Sequence, residues 1–143
     1  MRCFAGSSLV SRTASQHTLK LATRGTMREH VVQVVSDYID ALRRNDASAI
    51  PLHSDVVAEF PMNTYRGAVS FREALQPFAR IVKQIDVLRL VVDGEHCVAL
   101  LNVDTVVGVI PFAEHIHVVG DEIVFVRGYC DPRPMLNGAA ATA

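Results

Sequence analysis

The chain lacks a membrane span. Its uncharged apolar runs, such as Cys97–Val103, are strand-sized, far short of the ~20 residues a helix needs to cross a bilayer, so no membrane partner is expected. It also lacks a surplus of either charge, with 14 Lys and Arg against 15 Asp and Glu, a net −1. Without basic residues to neutralise phosphates, nucleic acid is a poor partner. Cysteine is scarce. Cys3, Cys97 and Cys130 are odd in number and far apart, which matches neither a disulfide framework nor a zinc ligand set and points to a reducing, cytoplasmic setting. Eight glycines and six prolines exclude a collagen-like or low-complexity chain. There is no Gly-rich phosphate loop, no Gly-x-Ser-x-Gly and no His-Glu-x-x-His, so nucleotide and metalloprotease chemistry have no support.

What is present is apolar. Half of the 143 residues are hydrophobic and a fifth are charged, enough to bury one core and too short a chain for two. The charge is uneven along the sequence. Residues 1–27 carry Arg2, Arg12, Lys20 and Arg24, eight Ser or Thr, and no Asp or Glu. That composition fits a mitochondrial transit peptide, which would place the protein in the matrix, and equally an upstream extension with Met27 as the functional start. Either way residues 1–27 are set outside the fold, the domain is placed at residues 28–135, and residues 136–143 are a tail.

From Arg28 to Arg44 the apolar residues Val31, Val34, Val35, Tyr38, Ile39 and Leu42 recur at helical spacing as one stripe. Asn45-Asp46 ends that helix, and Asp46 is placed to cap a short second helix over Ala47–His53. Val56–Phe60 reads as a short strand ending at Pro61. Ser70 and Glu73 have the spacing of a capping box opening a third helix with Phe71, Leu75 and Phe78 on its core face. The second half is β-branched: Ile85–Val92, Cys97–Val109, Ile110–Val118 and Glu122–Cys130 read as strands, with turns at Asp93-Gly94 and Gly120-Asp121. Helices first and a meander afterwards argue for an α+β fold, three N-terminal helices packed on a curved, mostly antiparallel sheet, with a pocket between them.

Four polar residues stand out against this apolar background. Asn102 and Asp104 lie two apart in an apolar strand, so they share a face. A desolvated carboxylate there suits acid/base work, whereas a solvent-facing sheet surface is the plain alternative. Glu114 shares a face with Phe112 and Ile116, which would raise its pKa and make it a proton-transfer group; an edge-strand charge that blocks aggregation is the other reading. Tyr38, in the middle of the first helix's stripe, points its hydroxyl either at a backbone carbonyl or at a ligand oxygen. His115 and His117 share the opposite face of their strand. Two imidazoles without a third ligand are a weak metal signal, so no metal or cofactor is expected, and a solvated or dimer-facing pair fits better. Glu59, Phe60 and Met62 would form the pocket rim, with Phe71 and Phe78 on the wall and Val126 and Gly128 on the last strand.

Several stretches carry a family likeness. Tyr38-Ile39-Asp40-Ala41-Leu42 with Asn45-Asp46, Tyr65-Arg66-Gly67 joined to Phe71-Arg72-Glu73-Ala74, and Gly120-Asp121-Glu122-Ile123 leading to Arg127-Gly128-Tyr129-Cys130-Asp131-Pro132 resemble the SnoaL-like group of the nuclear transport factor two-like superfamily. The resemblance covers residues 28–135. It implies a cone-shaped α+β barrel, a hydrophobic pocket and a homodimer, as in ketosteroid isomerases, polyketide cyclases and limonene epoxide hydrolases. Tyr38 falls on the isomerases' carbonyl-binding tyrosine, Glu114 near their protonated acid, and Phe60 on their general base, with Glu59 beside it. Asp104 falls on the first aspartate of the epoxide hydrolases, whose arginine is here Asn102 and whose second aspartate is Gly128. The resemblance implies a small enzyme acting on a hydrophobic ring or isoprenoid molecule by cofactor-free acid/base chemistry of isomerase, lyase, cyclase or epoxide-hydrolase type. In that reading Asp104 is the base, Asn102 orients it, and Tyr38 and Glu114 are donors. A non-catalytic binding module or a dimeric interaction scaffold of the same fold is the alternative.

Overall fold

The apolar stripe of the first segment forms helix α1 (Val10–Arg43). Val31, Val34, Val35, Tyr38, Ile39 and Leu42 are all buried, one face laid against the sheet. The computed structural model describes the backbone of residues 10–141 and the side chains of residues 25–137. Helix α1 begins upstream of Arg28, so the expected boundary after residue 27 falls inside a continuous helix. Its end is set by Asn45, which takes the left-handed conformation (φ 55°) that Asn tolerates better than most residues. The amide of Asp46 reaches back to the Ala41 carbonyl at 2.9 Å.

The second helix shrinks to a single 3-10 turn, Ala47–Ala49, and Asp46 makes no side-chain cap to it. Its carboxylate accepts the Ser48 hydroxyl instead. Strand β1 (Leu52–Glu59) starts earlier than local sequence suggests, because Leu52 pairs with Ile123 on the last strand. A short β2 (Thr64–Arg66) folds back on β1, and α2 (Ala68–Ile81) follows. Gly67 rather than Ser70 precedes α2, with no side-chain cap and φ 89°, a conformation that costs glycine little. The abrupt reversal out of β2 requires it.

Strands β3 (Val82–Asp93), β4 (His96–Thr105), β5 (Gly108–Val119) and β6 (Glu122–Cys130) form the antiparallel meander, and α3 (Arg133–Ala141) follows it. The expected tail boundary at 136 falls inside α3. The sheet order is β2-β1-β6-β5-β4-β3, with β1 and β6 the one parallel pair among the described residues. The β4–β5 turn lies at Val106-Val107, not between Val109 and Ile110. Two valines carry no turn signal of their own. The turn is held by the Thr105 hydroxyl, which donates to the Gly108 carbonyl at 2.8 Å and accepts the Val107 amide at 3.1 Å. Helices α1 and α2 cover one face of this curved, open sheet, and the core lies between them.

Candidate functional site

Alternation along the strands fixes which side chains meet the helices. On β5, Phe112, Glu114 and Ile116 are buried on the concave face, while His115 and His117 lie on the convex one. On β4, Cys97, Ala99, Leu101, Val103 and Thr105 point inward. Asn102 and Asp104 therefore point outward, beside the partly exposed Val98 and Leu100. The convergence of Asp104, Asn102, Tyr38 and Glu114 on one cavity does not occur. Both faces of β4 are rich in apolar residues, so local hydropathy carries no sign of which face is inside. The hairpin register, set at Thr105–Gly108, decides it.

A cavity of about 310 Å³ lies between α1, α2 and the concave face. Tyr38 and Glu114 stand on its buried floor, Phe60, Phe71, Phe78 and Phe112 on its walls, and Met62 at its exposed mouth. The walls are aromatic pairs. Phe60 and Phe71 have ring centres 5.9 Å apart, Tyr65 and Phe71 6.2 Å, and Phe78 meets Phe112 edge-on at 5.8 Å. Gly128 is part of this construction, because a Cβ there would overlap the Phe60 ring. Glu114 lies between Ala99 and Gly128 on the neighbouring strands, two small residues that leave its carboxyl uncrowded.

Three further expected binding residues take other places. Glu59 sits on the convex side and accepts an ion pair from Arg127 at 2.9 Å, because β1 alternation turns Val56 and Ala58 inward and Glu59 out. Val126 is fully buried in the core and does not line the cavity. Gly128 supports Phe60 and makes no part of the wall. The epoxide-hydrolase positions are also scattered, with Asn102 and Asp104 outside the sheet and Gly128 inside. Sequence reasoning missed Tyr65, Leu75, Cys130, Pro132, Met135 and Leu136 on the lining. Leu75 carried a sign as a core residue of α2, and Tyr65, Cys130 and Pro132 stand in the stretches of family likeness, whereas Met135 and Leu136 lie where no apolar periodicity marks them.

Glu114 is 5% exposed. Burial raises its pKa to about 7, against a hydrogen bond from Tyr38 that favours the charged form. The other carboxylate oxygen, Oε2, is buried without a hydrogen-bond partner. Tyr38 is held well above the ordinary tyrosine value, by burial first and by the nearby Glu114 second. The site thus contains a carboxyl that gains or loses its proton near neutrality and a phenol that keeps its own. On the convex face, His96 joins the expected histidine pair: its ring stacks on His117 at 4.2 Å and on His115 at 5.1 Å, and its Nδ1 lies 2.9 Å from Nε2 of His115. His117 reaches Glu95 at 3.1 Å.

Residues 24–129 match the model of DUF8021, a domain of unknown function. The chain belongs to that family. No curated protein matches it. Among solved structures, the α+β frame of this DUF8021 chain is similar to that of a protein from Kribbella flavida, 25% identical over 77% of this chain and 93% of that one, with a TM-score of 0.72. It is similar to a steroid delta-isomerase from Pseudomonas aeruginosa, 20% identical over 79% and 93% of the two chains, TM-score 0.62. A SnoaL-like protein from Shewanella denitrificans matches at 16% identity over 78% and 97%, TM-score 0.62. With NTF2-like neighbours beside them, they establish the SnoaL-like, nuclear transport factor two-like fold of this DUF8021 chain. Among the described residues no helix is long and apolar enough to cross a membrane.

Proposed function

We propose that this DUF8021 protein binds a hydrophobic ring or isoprenoid-type molecule and acts on it by cofactor-free acid/base chemistry of isomerase or lyase type. The observation that carries this reading is the buried Glu114, a carboxyl raised to about 7 beside Tyr38 in an aromatic pocket. The volume suits a small ligand, at the lower end of the ~300–1,000 Å³ of ordinary binding pockets. With Asp104 outside the pocket, both halves of a proton transfer fall to Glu114. Ionised, it removes a proton from a carbon beside a carbonyl; protonated, it returns that proton to another carbon or to a leaving hydroxyl. As the negative charge moves from the carboxylate to the substrate oxygen, the Tyr38 hydrogen bond follows it. The epoxide-hydrolase form is set aside, since its counterparts share no site.

A binding module is the second reading, favoured because, among the described residues, Glu114 is the one carboxylate and no imidazole lines the cavity. Proton–deuterium exchange separates the two. The full chain, incubated in D2O with the two-ring ketone 2-tetralone, is expected to accelerate loss of the protons beside the carbonyl, read by NMR. Glu114→Gln should lower that rate by ~10²–10⁴ while still binding the ketone. Binding without exchange supports the module; neither binding nor exchange removes both readings. A second copy of the chain is the proposed protein partner. Val98, Leu100, Phe125 and Tyr129 leave apolar surface on the convex face, and a twofold dimer is the commonest way to cover such a face.

A further inference from the structure

The DUF8021 match ends at residue 129, yet the cavity does not. Immediately afterwards the chain leaves the sheet at Cys130, and Pro132, Met135 and Leu136 of the last segment line the mouth. The turn between them is clamped. Arg133 donates through Nε to both oxygens of Asp131 at 2.9 Å and through Nη2 at 2.6 Å, and its amide adds a bond at 3.1 Å. The amides of Met135 and Leu136 both reach the Pro132 carbonyl at 3.1 Å, so the first turn of α3 is fixed where it meets the cavity. Met135 packs on the core, while Leu136 remains partly exposed at the rim. One wall of the pocket is therefore supplied from outside the matched family residues.

We propose that α3 is the specificity lid of this pocket: Met135 and Leu136 close its mouth and set how long a ring molecule it admits. The inference rests on the reading of the pocket as a site for a hydrophobic ring molecule. The physical argument is one of shape and of water. A thioether and a branched alkyl at the mouth limit length by contact, and they also keep solvent from the floor, where Glu114 lacks a second hydrogen-bond partner.

The test uses the full chain, a form ending at Asp131, and Met135→Ala/Leu136→Ala, so that a truncation that fails to fold leaves the double variant to decide. The first readout needs no ligand: the carboxyl carbon of Glu114, followed by ¹³C NMR against pH. Opening the mouth hydrates the floor, and the titration midpoint is expected to fall from about 7 toward the ordinary glutamate value of 4.5. The second readout is fluorescence binding of phenol, 2-naphthol and 2-hydroxyanthracene. The full chain should hold the shorter members and reject the longest, and the opened forms should gain at least tenfold affinity for the longest. An unchanged midpoint together with an unchanged length limit overturns the lid. A lowered midpoint with no arene bound by any form keeps the lid and removes the ring-molecule reading of the pocket.

Discussion

Asp104 and Glu114 sit on the two strands of one hairpin, and their surroundings are opposite. Asp104 lies in the more apolar stretch of sequence, yet it points outward from the convex face. Glu114 lies among histidines, a proline and a phenylalanine, yet it is buried on the concave side. Sequence hydropathy averages over both faces of a strand, whereas desolvation acts on one. The carboxylate that burial perturbs is thus the one whose alternating neighbours, Phe112 and Ile116, face the helices.

The same contrast applies to adjacent leucines. Leu101 is 3% exposed and Leu100 37%. Leu101→Ala is expected to cost about 2–5 kcal/mol in denaturant unfolding, by leaving a cavity in the core. Leu100→Ala should cost less than about 1 kcal/mol and instead weaken the proposed dimer, seen as a shift toward monomer in sedimentation at micromolar concentration. Equal losses of stability from the two would break the comparison of faces. A strictly monomeric parent protein would remove the dimer.

Acidity sharpens the comparison next. Glu114 titrates at about 7 in the folded chain and at the ordinary 4.5 when unfolded. Between those values the native state binds more protons, so stability falls as pH rises, by about 3 kcal/mol from about pH 4 to about pH 8. Glu114→Gln should flatten that part of the unfolding profile and make the chain more stable on the alkaline side. Asp104→Asn, on the exposed face, should alter stability by less than about 0.5 kcal/mol. A marked loss from Asp104→Asn would mean that the convex face holds a buried charge pair after all.

The smallest effect concerns the start of the chain. Residues 25–30 are exposed and the buried stripe of α1 begins at Val31. Removing residues 1–26 is expected to move the thermal midpoint by less than about 2 °C in calorimetry. A larger drop would show that the upstream part of α1 packs against the protein or its proposed partner.

Much of the frame was legible in the residues themselves. The stripe from Val31 to Leu42, the strand Glu122–Cys130 and the face shared by Phe112, Glu114 and Ile116 all follow from periodicity. That signal is strong because each element buries one side. The expected second helix is cut to one turn because Leu52–Asp55 are drawn into β1 by pairing with β6, a contact distant in sequence. The β4–β5 turn was hidden by valines at positions 106 and 107, which look like strand until Thr105 is seen holding the turn. The pairing of Tyr38 with Glu114 lay beyond any local pattern, since it joins the first helix to the fifth strand.

The sequence by itself determined the first helix, the helix after Gly67, most of the strands, their order and the α+β class, because apolar spacing and turn residues act over a few neighbours. Tertiary structure alone decided which face of β4 turns inward and that Gly128 makes room for Phe60. It alone brought Met135 and Leu136 to the mouth of the pocket. Those outcomes depend on register and on contacts between distant segments. There the energy of burial is shared among residues that no local window contains.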